Sequence, residues 1–206
     1  QRACCIDHRS SFFGALESNI KGNPLIDATA TATEPAIADA QPIGNGNWPT
    51  LGAARGHILV ALDESPEKVA IYRGGRTTLE GRAMFVNAPD ESAPDAAYIT
   101  LNDPVKQADR IRRAVALGLL VRTRADADTR EARANDVVPR DTALAGGANY
   151  VSTDYLWPDP RFAGSYRATL AGAAAVCNPV RMGRRCGDVP VEAQAPPGAA
   201  PAGIAR

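Results

Sequence analysis

The sequence predicts an α/β fold with parallel strands, and three observations carry that prediction. Short apolar runs alternate with helical segments along the chain, which is the order that parallel β/α units require. Glycines close the helical segments at Gly74-Gly75, Gly118 and Gly146-Gly147, where a left-handed C-cap suits glycine. Two apolar runs end in a burst of polar side chains, Leu119 to Asp128 and Tyr150 to Tyr155. Parallel sheets bind ligands beyond the carboxyl ends of their strands. Arg122, Arg124, Asp126, Asp154 and Tyr155 are therefore candidate site residues. A solvated rim of mutually paired charges is the competing reading of the same residues.

The elements follow in order. Phe12, Phe13, Leu16 and Ile20 have helical spacing, so Ser10 to Ile20 reads as an amphipathic helix. Ala28 to Asn47 is an irregular connection rich in Ala, Thr, Pro, Gly and Asn. His57 to Leu62 is a buried strand that ends at Asp63-Glu64. Ser65 is an N-cap and Pro66 occupies the first helical position of a helix to about Tyr72. Ala83 to Val86 is the next strand, ending at Asn87, and Asp90 to Asn102 is a longer loop. Asp103-Pro104 repeats the cap signal for a helix to Leu117, whose apolar face carries Ala108, Ile111 and Val115. Thr129 to Ala134 and Asp141 to Ala145 are short helices between the two polar-ended strands. Tyr166 to Leu170 and Ala174 to Cys177 read as a terminal hairpin, and Val189 to Arg206 as a disordered tail. The chain thus divides into a poorly defined N-terminal helix and connection (1–47), an α/β domain (48–188) and a tail (189–206).

Composition narrows the function classes. With 206 residues, 45% of them hydrophobic, the chain can bury the core of one domain. The balance of 23 basic against 23 acidic residues argues against a general nucleic-acid or anionic-membrane binder. No apolar run is long enough to span a bilayer. The chain opens at Gln1 without a signal-peptide pattern, so a removed start or a fragment is expected. Of Cys4, Cys5, Cys177 and Cys186, the last two could close a short disulfide outside the cytosol, the alternative being four free thiols. His8 lies near Cys4 and Cys5, but nothing completes a metal-ligand set there. Neither GxGxxG nor GxxxxGK[ST] occurs, which removes the main support for nucleotide binding.

Several segments carry a family resemblance. They are Trp48 to Leu51, His57 to Glu64, Gly81 to Pro89, Leu101 to Pro104, Leu120 to Thr129, Val151 to Tyr155, Pro158 to Phe162 and Cys177 to Val180. In this order they resemble the C-terminal half of the secreted, calcium-dependent phosphoinositide-specific phospholipase C family of bacteria and fungi. The run from Val121 to Thr129 is the most specific piece. By pattern alone, four β/α units fit either half of a barrel or an open four-stranded sheet. The resemblance favours the barrel: a partial (β/α)8 TIM-type barrel of the phospholipase C-like phosphodiesterase fold, C-terminal half, with a terminal β-hairpin. It also implies calcium as cofactor and an extracellular or periplasmic location.

The departures from the family shape the functional expectation. The family's histidine pair and calcium ligands come mainly from its first strands, near a motif like Thr-His-Asn-Ser-Tyr, which is absent here. His8 does not match that motif, and His57 opens its strand, so it would point to the end opposite the site. No catalytic residue and no metal ligand is assigned within the chain. The resemblance implies substrate contacts from Arg122, Arg124, Tyr155, Asp63 and Asn87 at one mouth, with Asp126 and Asp154 in support. An arginine fork holds a phosphate or vicinal hydroxyls in two-point geometry, and a tyrosine face stacks on a sugar-like ring. Strand alternation puts Arg122 and Arg124 on one face and Val121 and Thr123 on the other. Asp126 is expected to orient one of the arginines. The leading expectation is a truncated phosphoinositide phospholipase C that supplies the head-group-binding side of the barrel and is inactive alone. A glycerophosphodiester phosphodiesterase and a non-catalytic polyol- or phosphate-binding domain are the alternatives. The expected partners are a phosphoinositide or other phosphodiester substrate and a transient membrane surface, with no nucleic acid.

Overall fold

A computed structural model of the chain describes residues 25–26, 48, 58–79, 82, 84–170 and 175–183. All strand pairing among them is parallel. Strand β1 (Leu25–Ile26) pairs with β2 (Ile58–Leu59), and β3 (Ala61–Leu62) pairs with β4 (Phe85–Val86). Strands β5 (Tyr98–Thr100), β6 (Leu120–Arg124) and β7 (Tyr150–Ser152) form a three-stranded sheet in that order. One parallel bridge, Asn87 to Tyr98, carries β4 on to β5. Strands β2 and β3 follow one another along one run, and from that run onward each strand lies beside the next in sequence, as successive β/α units wound one way require. This sequential parallel order is compatible with an arc of a barrel.

The helices form where local signals place them. Helix α1 (Pro66–Arg73) has proline in its first turn and ends at Gly74, whose φ is 64°. Helix α2 (Ala108–Leu117) buries Ile111, Ala114 and Val115 and ends at Gly118 with φ 97°. Short helices α3 (Arg130–Ala134) and α4 (Val138–Ala145) lead to β7, and α5 (Pro179–Met182) closes the described residues. The stripe on α2 packs against Ile99, Leu101, Leu119 and Val121, joining the helix to β5 and β6. A second cluster joins α1 to β4 through Val69, Tyr72, Met84, Phe85 and Val86. Trp48 seals the amino end of the sheet. Its ring lies 5.2 Å from that of Phe85, and its indole N–H donates to the Gly118 carbonyl at 2.8 Å.

Five sequence expectations are corrected. The run read as a single strand from His57 to Leu62 is two strands, because its first half pairs with β1 and its second with β4. Val60 bridges the two, its carbonyl accepting the Phe85 N–H at 3.0 Å. The loop expected from Asp90 to Asn102 contains β5. Its three residues are too short to announce a strand, and β6 supplies the pairing. The helix expected directly after Asp103-Pro104 begins only at Ala108, since the Asp103 side chain and carbonyl close a turn onto Lys106 and Gln107 first. Helix α4 starts at Val138, ahead of the expected Asp141. The terminal hairpin does not form: 165–170 and 175–178 take no strand pairing. The Ala168 N–H instead donates to the Tyr155 carbonyl at 2.9 Å. The expected helix at Ser10 to Ile20, the connection to Asn47, His57, Cys186 and the tail lie outside the described residues. Among the described residues no helix is long and apolar enough to cross a membrane.

Two contacts tie the last strands to the rest. Asp126 is 6% exposed and accepts from the Thr153 hydroxyl, the Asp154 N–H at 3.0 Å and the Tyr166 hydroxyl at 3.1 Å. It thereby joins the segments after β6 and β7. The C-terminal segment docks through Asn178, whose side chain accepts from Val180 and Arg181 N–H and donates to the Gly147 carbonyl at 2.7 Å. Gly147 has φ +76°, and a Cβ there would stand 2.7 Å from Asn178 Oδ1.

Gly147→Ala should therefore lower the free energy of unfolding by about 1–3 kcal/mol, from left-handed backbone strain plus the lost Asn178 contact. An unchanged urea midpoint would show that the segment docks some other way. Burial and the Asp126 charge push the Tyr166 hydroxyl well above its ordinary range. The unfolded chain releases that proton near pH 10 and the folded chain only at higher pH. The associated stability is therefore complete below about pH 10 and falls as the pH rises beyond it. Thermal melts across that range should show a smaller alkaline loss in Tyr166→Phe than in the parent. Equal losses would remove Tyr166 from the alkaline response.

Candidate functional site

Because the strands are parallel, their carboxyl ends open on one side, and the polar residues there meet. Asp63 follows β3, Asn87 follows β4, Thr100 ends β5, Arg122 and Arg124 lie on β6, and Ser152 ends β7. Alternation on β6 sets their direction. Val121 and Thr123 are fully buried beneath the strand, Arg122 is half-buried on the other face, and Arg124 is exposed.

Arg122 is the centre of the resulting network. Its Nη1 donates to Asp63 Oδ2 at 3.2 Å and to Asn102 Oδ1 at 3.1 Å, and its Nη2 donates to Ser152 Oγ at 2.9 Å. Thr100 Oγ1 donates to the other Asp63 oxygen at 2.7 Å and lies 3.1 Å from the Tyr98 hydroxyl. Burial, with the Asp63 charge added to it, raises the Tyr98 phenol above its ordinary range. The Thr100 N–H donates to Asn87 Oδ1 at 2.9 Å. Arg124 donates from Nε to the Asn102 carbonyl at 3.2 Å. Its two terminal nitrogens take no partner among the described residues. Beside this network lies an open depression of about 750 Å³, lined by Asp63, Asn87, Asn102, Asp103, Lys106 and Arg124 among others. Such a wall offers a guanidinium and an ammonium to anionic oxygens, and carboxylate and amide oxygens to hydroxyl groups.

Of the residues singled out in the sequence, Asp63, Asn87, Arg122 and Arg124 meet here. The other three do not join them. Tyr155 is buried beside Tyr166, Phe162 and Ala132, its ring 5.8 Å from that of Tyr166, and its hydroxyl donates to the Asp128 carbonyl at 3.2 Å. It packs the loop after β7 and turns no face to the depression. Asp126 orients no arginine, because the strand ends at Arg124 and the chain turns Asp126 toward Thr153 and Tyr166. Asp154 is exposed, and only its backbone N–H is engaged, by Asp126. Asn102, Thr100 and Ser152 escaped the sequence reading. The strand-end rule would have reached Thr100 and Asn102 had Tyr98–Thr100 been read as a strand.

The same geometry tests the cofactor. Both Asp63 oxygens are engaged, and Glu64 pairs with Lys68 at 2.8 Å. Among the described residues no three His, Cys, Asp or Glu side chains converge as a metal-binding group. These residues do not fit a calcium site. His8 and His57 lie outside the described residues. Cys177 is disulfide-bonded, while Cys186, its expected partner, is outside the described residues.

A family model described as phosphoinositide phospholipase C, Ca2+-dependent, matches residues 27–179. No curated protein and no solved structure gives a significant match. The matched span runs from upstream of Trp48 through β2 to β7 and so contains the whole strand-end network. The chain belongs to the calcium-dependent phosphoinositide phospholipase C family.

Proposed function

We propose that this chain supplies the inositol-head-group side of a phosphoinositide phospholipase C barrel. The supporting observation is the convergence of Asp63, Asn87, Asn102, Arg122, Arg124 and Ser152 at one end of sequentially ordered parallel strands, in a chain of this family. Arg122, anchored on three sides, has a fixed guanidinium plane. That plane sets the orientation of Asp63, whose remaining lone pairs can accept ring hydroxyls. Arg124 keeps its terminal nitrogens open toward the depression, the geometry for a two-point grip on a phosphate. Asn87 spends its carbonyl on the Thr100 N–H, which leaves its NH2 to donate to a substrate oxygen.

Cleavage through the inositol 2-hydroxyl needs a base for that proton and an acid for the leaving alcohol. The described residues present no such pair, so the proton-transferring groups and the calcium ligands belong outside these strand ends. An extracellular or periplasmic setting is part of the same proposal, supported by the disulfide at Cys177.

The folded chain should bind myo-inositol 1-phosphate saturably in calorimetry and leave phosphatidylinositol uncleaved with or without calcium. Calcium-dependent turnover would overturn the assignment of the proton-transferring groups elsewhere. Arg124→Ala should weaken inositol phosphate binding about tenfold or more, the loss of a charge-assisted grip. Arg122→Lys should weaken it comparably, since one ammonium cannot span three anchors. Unchanged affinity in both variants would end the head-group reading, and stronger binding of glycerol phosphate than of inositol phosphate would move it to glycerophosphodiesters.

A further inference from the structure

Asp63 is held from two sides, and only one of them carries a charge. Arg122 Nη1 reaches Asp63 Oδ2 at 3.2 Å, and the Thr100 hydroxyl reaches Asp63 Oδ1 at 2.7 Å. Behind Thr100 stands the Tyr98 hydroxyl, 3.1 Å from Thr100 Oγ1. We infer that Tyr98 and Thr100 are positioning residues, a hydroxyl relay out of the core that fixes the Asp63 carboxylate as a selective acceptor for the ring hydroxyls of the ligand. The inference rests on the proposed head-group reading, and it names what in that site separates a polyol ring from a bare phosphate.

The direction of the relay follows from its proton count. An ionised carboxylate accepts and does not donate, and a threonine hydroxyl has a single hydrogen. Thr100 therefore gives its hydrogen to Asp63, and its oxygen accepts from Tyr98. Burial raises the Tyr98 phenol above its ordinary range, so that proton stays in place near neutral pH. The backbone brings both hydroxyls into line. Tyr98 and Thr100 are two residues apart on β5 and share its site face, while Ile99 packs into the opposite layer. Thr100 stands beside Arg122 in register, so the two groups that hold Asp63 come from neighbouring strands. The branched Cβ of threonine also keeps its rotamer stiff.

Packing alone asks for neither hydroxyl. The Tyr98 ring lies in the apolar cluster with Phe85 and Val86, where a phenylalanine ring would fill the same place. Tyr98 is 5% exposed, and among the described residues its hydroxyl bonds Thr100 alone. A buried donor is thus spent on orienting a second hydroxyl, which in turn orients a carboxylate at the surface. Arg122 by itself would hold Asp63 loosely, because an ion pair open to water fixes its partners weakly. Each Asp63 oxygen takes one hydrogen bond and keeps one acceptor position. Two such positions, on oxygens held from both sides, match two adjacent ring hydroxyls. Arg124 addresses the phosphate instead, so the relay governs preference for the ring and leaves the grip on phosphate alone. A site shaped to accept hydrogen bonds discriminates strongly against a ligand that lacks the donors.

The test is calorimetry on the full chain with myo-inositol 1-phosphate and with cyclohexyl phosphate, which offers a six-membered ring and a phosphate without the hydroxyls. Thr100→Val, nearly isosteric, and Tyr98→Phe should each weaken inositol phosphate binding about fivefold, the loss of one hydrogen bond, and leave cyclohexyl phosphate binding where it is. Thr100→Ser keeps the hydroxyl and should bind as the parent does. Three-bond NMR couplings to the Asp63 carboxyl carbon read its rotamer without any ligand. They should report one rotamer in the parent and in Thr100→Ser, and an average over several in Thr100→Val and Tyr98→Phe. The relay is overturned if both ligands weaken together, which would make the hydroxyls mere supports of the wall. It is equally overturned if Thr100→Val keeps the parent's affinity and couplings, or if Thr100→Ser behaves like Thr100→Val. If the parent binds neither ligand, the couplings decide: averaging in the two variants keeps the relay and ends the head-group reading, and unchanged couplings end both.

Discussion

The register of β6 is the constraint on which the rest of the structure depends. Paired on both edges, it sets Thr100 opposite Arg122 and Arg122 opposite Tyr150. A slip of one residue would turn Arg122 and Arg124 into the layer packed by Ile111 and Val115, and Val121 and Thr123 toward solvent. Burying an unpaired guanidinium costs several kcal/mol, while exposing Val121 forfeits about 2 kcal/mol. The apolar underside therefore fixes where the arginines point. The site inherits its geometry from a packing decision made on the opposite face.

Two aspartates show how burial divides fold from function. Asp126 is almost fully buried and takes three hydrogen bonds from two other segments. Removing it would leave buried donors without an acceptor, so its part is structural. Asp63 pairs with Arg122 while both side chains remain partly open to water. A pair so placed contributes about 0–1 kcal/mol. Its significance lies in orientation, since it holds a guanidinium against a carboxylate beside the depression. Both residues follow an apolar run in sequence, and only packing separates their roles.

Local signals made a good part of the fold legible. Ser65-Pro66 and Gly74 bounded α1, the stripe through Ile111 and Val115 announced the buried face of α2, and the run at Leu120 announced β6. Strand β5 was hidden because three residues inside a Pro- and Asp-rich stretch carry too little period to be heard above a loop. Tyr166 to Leu170 misled in the opposite direction. The alternation there is real, with Tyr166 buried and Arg167 exposed, but the segment answers to Asp126 and the Tyr155 carbonyl and has no strand partner.

The sequence by itself determined the family motifs, the helix ends and the shared face of Arg122 and Arg124. The helix ends and the shared arginine face follow from a period of two or 3.6 residues or from the chemistry of a single cap, and the motifs are legible through their resemblance to the family. Only the tertiary structure decided which polar groups meet. Asn102 and Ser152 reach Arg122 from 20 and 30 residues away, and no local pattern encodes that meeting. It also decided that Tyr155 turns inward while Leu156 and Trp157 turn out. At a strand end the backbone leaves its alternation. The side chain's direction is then set by what the neighbouring loops leave room for, which is a property of packing and not of spacing.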